Sequence, residues 1–263
     1  MKRLIRFILN AIPRPVLQRM AGWAVPLLGL IYVGRGRECP VCGTKRRKFL
    51  PYGYVTSRDN ALCPNCLSLE RHRLLWLWLQ RESDLFERRP KLLHVAPEVC
   101  LMRHLRRTYA SGGNREDYVT ADLESPLADL HFDIQQIPLA DESFDVIFCN
   151  HIMEHVEDDR RAMSELYRVM RRGGWGVILS PVELTRATTF EDDSITDEAE
   201  RTRIFGQYDH RRVYGRDYAD RLASVGFEVV ESDYRAAFTA HEQASYALPE
   251  DHIYFVRKPL NVQ

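Results

Sequence analysis

The sequence lacks a long hydrophobic run. A helix that crosses a membrane needs about 20 consecutive apolar residues, and the longest apolar run here, Ala21–Val33, is shorter and contains Pro26. That run also has no small-residue cleavage site of the kind that ends a secretory signal. These absences argue against a membrane-spanning or secreted protein, and we expect a cytoplasmic one.

The chain also lacks net charge, because 37 Lys and Arg balance 37 Asp and Glu. The balance is uneven along the chain. The first 110 residues contain 21 Lys and Arg against 7 Asp and Glu, so the remaining residues carry the opposite excess. This division predicts either an anionic partner for the basic half or contact between the two halves. The alternative is two solvated faces that differ in charge.

Residues 1–37 contain no acidic residue at all. Their Lys and Arg residues flank two apolar runs, which is typical of a basic amphipathic segment. One interpretation is peripheral contact with an anionic membrane surface, on the inner face of a membrane. The other is a helical arm packed on the protein's own domain.

Cysteine is scarce, with 6 residues, but four of the six form two C-x2-C pairs. Cys39 and Cys42 are separated from Cys63 and Cys66 by twenty residues, a spacing that allows four thiolates to form a tetrahedral Zn²⁺ site. Because protein fills all four positions, we expect a structural zinc in a zinc ribbon at residues 38–70. Disulfides are the rival interpretation, and the absence of a clear secretory signal argues against them.

Two features surround the ribbon's cysteines. Residues 45–48 are all basic and lie near Tyr52. Basic residues among aromatic ones can bind nucleic acid. The alternative is that they form the charged tip of a hairpin on a scaffolding module. Residues 71–90 follow as a connecting helix. Because residues 74–79 are apolar on nearly every side, this helix should be buried between the ribbon and the main domain.

A strand, loop, helix and strand follow one another between residues 133 and 180. Phe144–Cys149 is an apolar run typical of a strand buried on both faces, and Asn150 and His151 follow it, where open α/β sheets place their ligands. The next segment has acidic residues at its start and basic ones at its end, as a helix favours. Gly173 and Gly174 are predicted to end that helix.

The run D-I-x-x-I-P-x-x-D-x-S-F-D-V-I-x-x-x-H-x-x-E-H, beginning at Asp133, resembles the class I S-adenosylmethionine (SAM)-dependent methyltransferases. The closest resemblance is to the small-molecule branch that includes quinone-biosynthesis enzymes, and it covers roughly residues 91–257. It implies an α/β fold with a Rossmann-like seven-stranded methyltransferase sheet over residues 91–263, joined to the small N-terminal zinc ribbon.

The resemblance also implies where SAM would bind, although the sequence departs from the family at the first loop. In place of a glycine-rich loop after an acidic residue, the chain has Ala96-Pro97-Glu98, with His94 where the acid is usual. Ala96 is small enough for close approach, and Glu98 is expected to hold the ammonium group from a displaced position. Asp122 and Leu123 are expected to contact the ribose, and Asp133 and Ile134 the adenine. Asn150 and His151 are expected to contact the cofactor at the strand end.

Histidines are the candidates for acid–base chemistry, because imidazole titrates near neutral pH. His151 and His210, with Asp209, are the predicted catalytic residues. His155 is better explained as capping or packing the next helix together with Glu154. Residues 184–212 are predicted to form a mobile lid over the acceptor, with a plain surface loop as the alternative.

Three functions remain open from the sequence. The first is methyl transfer from SAM to a small-molecule, saccharide or lipid-linked acceptor. The second is an RNA methyltransferase that uses the ribbon to recognise RNA, although nucleic acid is the less favoured partner. The third is a non-catalytic adaptor whose altered first loop no longer binds SAM.

Overall fold

The computed structural model describes residues 29–53 and 56–261. Most of the predicted amphipathic segment 1–37 therefore lies outside the described residues. Within the described part, no helix is long and apolar enough to cross a membrane.

The N-terminal module consists of two antiparallel strand pairs that bring the C-x2-C pairs together. Strand β1 (Val33–Cys39) pairs with β2 (Thr44–Arg46), and β3 (Leu50–Tyr52) pairs with β4 (Arg58–Leu62). Gly43 follows the first cysteine pair with φ +66°, a left-handed conformation that glycine adopts without steric cost. The turn it makes returns the chain into β2.

The connecting segment forms two helices, α1 (Glu70–Glu82) and α2 (Leu85–Arg88). Eight consecutive residues of α1, from His72 to Leu79, are buried, which confirms that this helix is enclosed by protein on nearly every side. The buried side chains of the ribbon, of α1 and of the main sheet belong to one continuous apolar core. The ribbon is therefore packed onto the rest of the chain through α1.

The main domain is built on a seven-stranded sheet in the order β12-β13-β9-β8-β5-β6-β7. All neighbouring strands are parallel except β13, which runs antiparallel to both β9 and β12. This is the Rossmann-like methyltransferase sheet that the sequence predicted. Its strands are β5 (Leu92–Val95), β6 (Tyr118–Asp122), β7 (Leu130–His131), β8 (Phe144–Asn150), β9 (Met170–Leu179), β12 (Glu228–Ser232) and β13 (Ile253–Arg257).

The α-helices described in the main domain are α3 (Val99–Gly112), α4 (Asp159–Val169), α5 (Glu198–Phe205), α6 (Tyr218–Ala223) and α7 (Ala240–Tyr246). Helices α3, α4 and α6 pack on the sheet, whereas α5 has one buried residue and α7 has none. Helix α4 illustrates the packing, because Ala162, Met163 and Leu166 recur at helical spacing and are fully buried. Asp158 caps its first turn by accepting a hydrogen bond from the Arg161 backbone N–H.

The predicted end of α4 at Gly173-Gly174 is wrong. The helix ends at Val169, and Met170 already has extended backbone and pairs with Phe144 as the first residue of β9. Gly173, with φ +73°, instead forms an irregularity inside the strand, where its backbone N–H donates to the carbonyl of Lys258. Two adjacent glycines in the sequence indicate a left-handed bend of the backbone. They do not indicate whether that bend lies at the end of a helix or within a strand.

Residues 184–212 leave the sheet after β9. They contain the short strand β10 (Phe190–Glu191) and helix α5, and β10 pairs with β11 (Arg212–Val213) at the far end of the segment. The pairing closes the segment into a loop above the carboxyl ends of the parallel strands, where Arg211 donates its backbone N–H to the carbonyl of Glu154.

Candidate functional site

A cavity of about 420 Å³ opens at the carboxyl ends of β5, β6 and β8, where parallel α/β sheets bind ligands. Its volume is in the range of about 300–1,000 Å³ typical of small-molecule sites. Six of the predicted site residues line it, and they are Ala96, Asp122, Leu123, Asp133, Ile134 and His151. The remaining lining residues are Val95, Phe132, Gln135, Ile152, His155, Val156, Glu157 and Arg211.

Two carboxylates on neighbouring strand ends face this cavity, and local hydrogen bonds fix each of them. Asp122 Oδ1 accepts the backbone N–H groups of Glu124 and Ser125 at 2.9 and 2.8 Å. Asp133 Oδ1 accepts the backbone N–H of Gln135 at 2.8 Å. In both cases the loop's own backbone orients the side chain, so the acid does not depend on a distant partner for its position.

The chain bends sharply at two strand ends that border the cavity. Ala96 after β5 and His151 after β8 have φ values of +45° and +56°, in the left-handed region that is sterically costly for residues other than glycine. Each bend is tied to a neighbouring strand, because Ala96 N–H donates to the Ala121 carbonyl and His151 N–H to the Leu179 carbonyl, both at 2.7 Å.

Glu98 does not line the cavity but forms a buried polar network at the start of α3. The Nε2 of His94 lies 2.7 Å from Glu98 Oε2, and Asn150 Nδ2 donates to Glu98 Oε1 at 3.2 Å. Burial alone would raise the pKa of the Glu98 carboxyl, but the hydrogen bond and charge of His94 outweigh it and hold the pKa at about 2. The carboxylate is therefore ionised and already engaged by protein groups.

This network explains why histidine stands where the family usually has an acid. His94 is fully buried, and because a carboxylate only accepts hydrogen bonds, its Nε2 donates to Glu98, while the Tyr118 hydroxyl lies 2.9 Å from its Nδ1. His72 of α1 approaches from the other side, with Nε2 3.9 Å from Glu98 Oε1. Burial lowers the pKa of His72 to about 3, so this imidazole is neutral.

Two buried polar atoms beside this network have no hydrogen-bond partner in the described part of the chain. They are His72 Nε2 and Asn150 Oδ1. Asn150 is thus placed as the sequence predicted, at the end of β8, but it lies behind the cavity wall rather than in it.

A second group of polar residues follows β8. His151 Nδ1 lies 3.4 Å from Glu154 Oε1, and the Ser180 hydroxyl donates to Glu154 Oε2 at 2.6 Å. Glu154 is buried, which by itself would raise the pKa of its carboxyl, but His151 outweighs burial and holds that pKa at about 2. Glu154 thus gives the His151 ring an ionised partner and fixes its orientation.

The predicted residues Asp209 and His210 do not line the cavity but contact a residue that does. His155 Nδ1 lies 3.3 Å from Asp209 Oδ2, and the rings of His155 and His210 meet edge to face with centroids 4.7 Å apart. His210 Nδ1 lies 3.1 Å from the Phe205 carbonyl oxygen, and burial lowers the pKa of His210.

The alternative for His155 as the cap of the next helix is not realised, because Asp158 caps α4. Analysis of the sequence also missed Phe132, Gln135 and Arg211 as cavity residues. Phe132 and Gln135 flank two residues that it did select, so their proximity in sequence was an available signal. Arg211 arrives through the β10–β11 pairing, which no local pattern indicates.

The four cysteines of the ribbon converge. Cys39 Sγ lies 3.6 Å from Cys66 Sγ, and Cys42 Sγ lies 3.9 Å from Cys63 Sγ; one ligand atom from each of the four falls within 4.8 Å of the others. None of these cysteines forms a disulfide.

Comparisons with known proteins agree with this architecture. A family model described as a methyltransferase domain matches residues 101–178. A protein of Mycolicibacterium smegmatis named "Probable S-adenosylmethionine-dependent methyltransferase" is 27% identical over 102 residues, which cover 39% of this chain and 35% of that protein. The match therefore spans about a third of the relative's length.

Solved structures of SAM-dependent methyltransferases have similar folds at low identity. The enzyme from Mesorhizobium loti aligns with a TM-score of 0.49 at 14% identity, covering 70% of this chain and 98% of that one. The enzyme from Archaeoglobus fulgidus aligns with a TM-score of 0.45 at 15% identity, covering 70% and 93%. At these scores the structural similarities carry no argument about function.

Residues 101–178 thus match the methyltransferase-domain family, and the seven-stranded sheet has the order of the Rossmann-like methyltransferase fold. SAM is the cofactor in the printed name of the relative that this part of the chain resembles.

Proposed function

We propose that this protein transfers a methyl group from SAM to a small-molecule acceptor. The observation that carries the proposal is the cavity at the carboxyl edge of the sheet, which combines two oriented carboxylates with a histidine at the adjoining strand end. A saccharide or lipid-linked acceptor is the finer form of this proposal.

The cavity's residues fit a nucleoside. Asp122 can accept hydrogen bonds from ribose hydroxyls, because both loop hydrogen bonds that orient it go to one of its two oxygens. Asp133 is placed to accept from the adenine amino group, with Ile134 and Phe132 as the apolar wall against the ring.

SAM supplies an electrophilic methyl group on a sulfonium, so the protein contributes mainly alignment. Where the acceptor is a hydroxyl, a base is also needed. His151 is our choice, because it lines the cavity and its Nδ1 faces the Glu154 carboxylate. That carboxylate holds the ring in place and stabilises the imidazolium that forms when Nε2 takes a proton.

Contacts of the basic ribbon residues support a small acceptor over RNA. Lys45 pairs with Glu38, Arg46 donates to Asn65, and the Arg47 guanidinium lies over the ring of Tyr32. Three of the four charges at 45–48 thus have partners within the module. We retain contact of segment 1–37 with an anionic membrane as part of the proposal, since it would bring a lipid-linked acceptor within reach.

We further propose that the four cysteines hold a structural zinc ion. A tetrahedral site with Zn–S bonds of about 2.3 Å places its sulfurs about 3.8 Å apart, and the two measured separations are 3.6 and 3.9 Å. Hydroxyl groups support the sulfurs, with Ser68 Oγ 3.2 Å from Cys39 Sγ and Thr44 Oγ1 3.1 Å from Cys42 Sγ. With four protein ligands, no coordination position is left for chemistry.

Calorimetric titration of the zinc-loaded protein with SAM tests the proposed function. We expect saturable binding, weakened at least tenfold in Asp122→Ala, because the ribose hydroxyls lose a charge-assisted hydrogen bond of about 1.5–3 kcal/mol. Glu124→Ala is the matched control, since it removes an exposed acid from the same loop without touching the cavity. A folded protein that fails to bind millimolar SAM would instead support the non-catalytic adaptor. RNA binding that weakens steeply with salt would support the RNA methyltransferase.

A further inference from the structure

We propose that Glu154, His155 and His210 form a second metal site, which binds a first-row divalent cation at the acceptor end of the cavity. Its role in methyl transfer rests on the proposed function above. The site is separate from the ribbon's cysteines and has different ligand chemistry.

The donor set is that of a reactive metal site. One carboxylate oxygen and two ring nitrogens lie within 4.8 Å of one another. Two histidines and one carboxylate suit Zn²⁺, Fe²⁺ and Mn²⁺, and three protein ligands leave coordination positions open for water or substrate.

The hydrogen bonds around both histidines present the correct nitrogen to a cation. A backbone carbonyl only accepts, so the contact of His210 Nδ1 with the Phe205 oxygen places the proton on Nδ1 and the lone pair on Nε2. The contact of His155 Nδ1 with the Asp209 carboxylate does the same for the second ring. Metal-binding histidines characteristically donate their other N–H to a carbonyl or a carboxylate in this way.

The carboxylate is prepared in a similar manner. Glu154 Oε2 accepts the Ser180 hydroxyl and Oε1 faces His151. Because each carboxylate oxygen has two lone pairs, these contacts leave acceptor capacity on both oxygens.

Backbone contacts hold the two halves of the site together. Arg211 N–H donates to the Glu154 carbonyl at 2.9 Å, next to His210 in the chain. The buried guanidinium of Arg212 donates to the carbonyls of Met153, Val156 and Glu157 at 2.6–2.8 Å. The loop after β8 and the end of the 184–212 segment are therefore fixed to one another on both sides of the ligands.

The position of the site indicates what the cation does. His155, Arg211 and His151 all line the cavity, so a cation held by His155 stands beside it and can coordinate an oxygen of the acceptor. Coordination lowers the pKa of a bound hydroxyl, and His151, which lines the same cavity as His155, would receive the proton. The acceptor class that this arrangement selects is one that presents a hydroxyl or carboxylate oxygen.

Zinc stoichiometry after dialysis against micromolar free Zn²⁺ tests the site. We expect two zinc ions per wild-type chain and one in His210→Ala and in His155→Ala. SAM affinity should be unchanged in His210→Ala, because His210 does not line the cavity. His241→Ala is the matched control, because that histidine is exposed on α7 and distant in sequence from both sites, and it should keep both ions. The one ion retained by the variants in the cysteine cluster, with SAM binding, shows that they are folded.

One zinc per wild-type chain, or loss of the second ion in His241→Ala as well, overturns the second site. If wild type holds two ions, His210→Ala holds one and SAM fails to bind to either, the metal site stands and the proposed function falls. If instead SAM binds and the wild-type chain holds a single zinc ion, the second metal site is excluded and the proposed function stands.

Discussion

Ala96 and His151 adopt a backbone conformation that costs about 1–2 kcal/mol for a residue with a Cβ. Both occur where a strand ends at the cavity, and strained backbone of this kind is retained mainly at ligand sites. At Ala96 the strain accompanies the missing glycine-rich loop. The chain makes the bend that glycine would favour, and holds it through the hydrogen bond to Ala121 instead.

Replacing Ala96 with glycine should therefore leave the free energy of unfolding unchanged or raise it by up to about 1 kcal/mol, because relief of strain offsets the greater flexibility of the unfolded chain. Urea denaturation measures this. Ala121→Gly is the control, since Ala121 is fully buried in regular β6 and should lose about 1 kcal/mol or more. A comparable loss in both variants would contradict the assignment of strain.

His72 should make the protein less stable as the solution becomes mildly acidic. Its pKa falls from 6.5 to about 3 on folding because of burial, so below pH 6.5 the unfolded state binds a proton that the folded state does not. The stabilisation is complete above pH 6.5 and is lost progressively as the pH falls toward 3. Between pH 6.5 and 4.5 the loss should be about 2 kcal/mol.

The comparison variant is His72→Gln, whose amide oxygen can still accept the Leu69 N–H that His72 Nδ1 accepts at the start of α1. Its free energy of unfolding, measured by urea at several pH values, should fall less than that of wild type over the same interval. Parallel curves for the two proteins would show that His72 is not the titrating group.

At the level of elements, local patterns were sufficient for most of the main domain. The continuous apolar run of β8 predicts a strand buried on both faces. The helical spacing of apolar residues in α4 predicts a helix buried along one stripe. The pairing of β12 with β13 closes the sheet at one edge. Gly173 was misplaced because its left-handed backbone serves a strand irregularity set by the distant Lys258.

The candidate site was less predictable, because most of its contacts join residues that are far apart in the chain. Glu98 is four residues from His94. The contacts of His94 with Tyr118 and of His155 with Asp209 and His210 follow from no spacing rule. Asp122 and Asp133 could be selected because their position depends only on their own strand end.

One buried side chain, Arg212, makes several of the contacts that anchor segment 184–212. Arg212 is 3% exposed, donates to three carbonyls of the loop after β8 and pairs with Glu191. Arg212→Met should lower the free energy of unfolding by about 3 kcal/mol, because it removes the donor to the Val156 and Glu157 carbonyls and leaves the Met153 carbonyl with the Tyr214 hydroxyl alone. Hydrogen exchange should also accelerate at residues 151–158.

Arg203→Met is the matched control for that variant. Arg203 is exposed on α5 of the same segment and pairs only with Glu200 at 3.7 Å, so its loss should change stability by less than about 0.5 kcal/mol. Unchanged exchange at 151–158 in Arg212→Met would mean that the loop after β8 is held by other contacts.

At the level of the whole molecule, Arg73 joins the N-terminal module to the main domain. Its guanidinium is fully buried and donates to carbonyls on both sides, at Ala61 and Ser68 in the ribbon region and at Tyr246 and Ala247 near the C-terminal helix. Ser68 also contacts the sulfur of Cys39. The cysteine cluster, α1 and the main domain are thus linked through polar contacts as well as through one apolar core.

Removal of zinc should therefore destabilise the whole chain and not the ribbon alone. If the four cysteines hold the proposed zinc ion, chelation deprives them of the ion that orders them and α1 loses one of the surfaces that bury it. We therefore expect the melting temperature to fall on the order of 10 °C in a single transition. Calorimetry and the fluorescence of Trp76 and Trp78, both buried on α1, should report the same midpoint. Added Zn²⁺ should restore that midpoint and Mg²⁺ should not. A chelated protein that melts in two steps, the second at the temperature of the zinc-loaded chain, would show instead that the methyltransferase domain is stable without its ribbon.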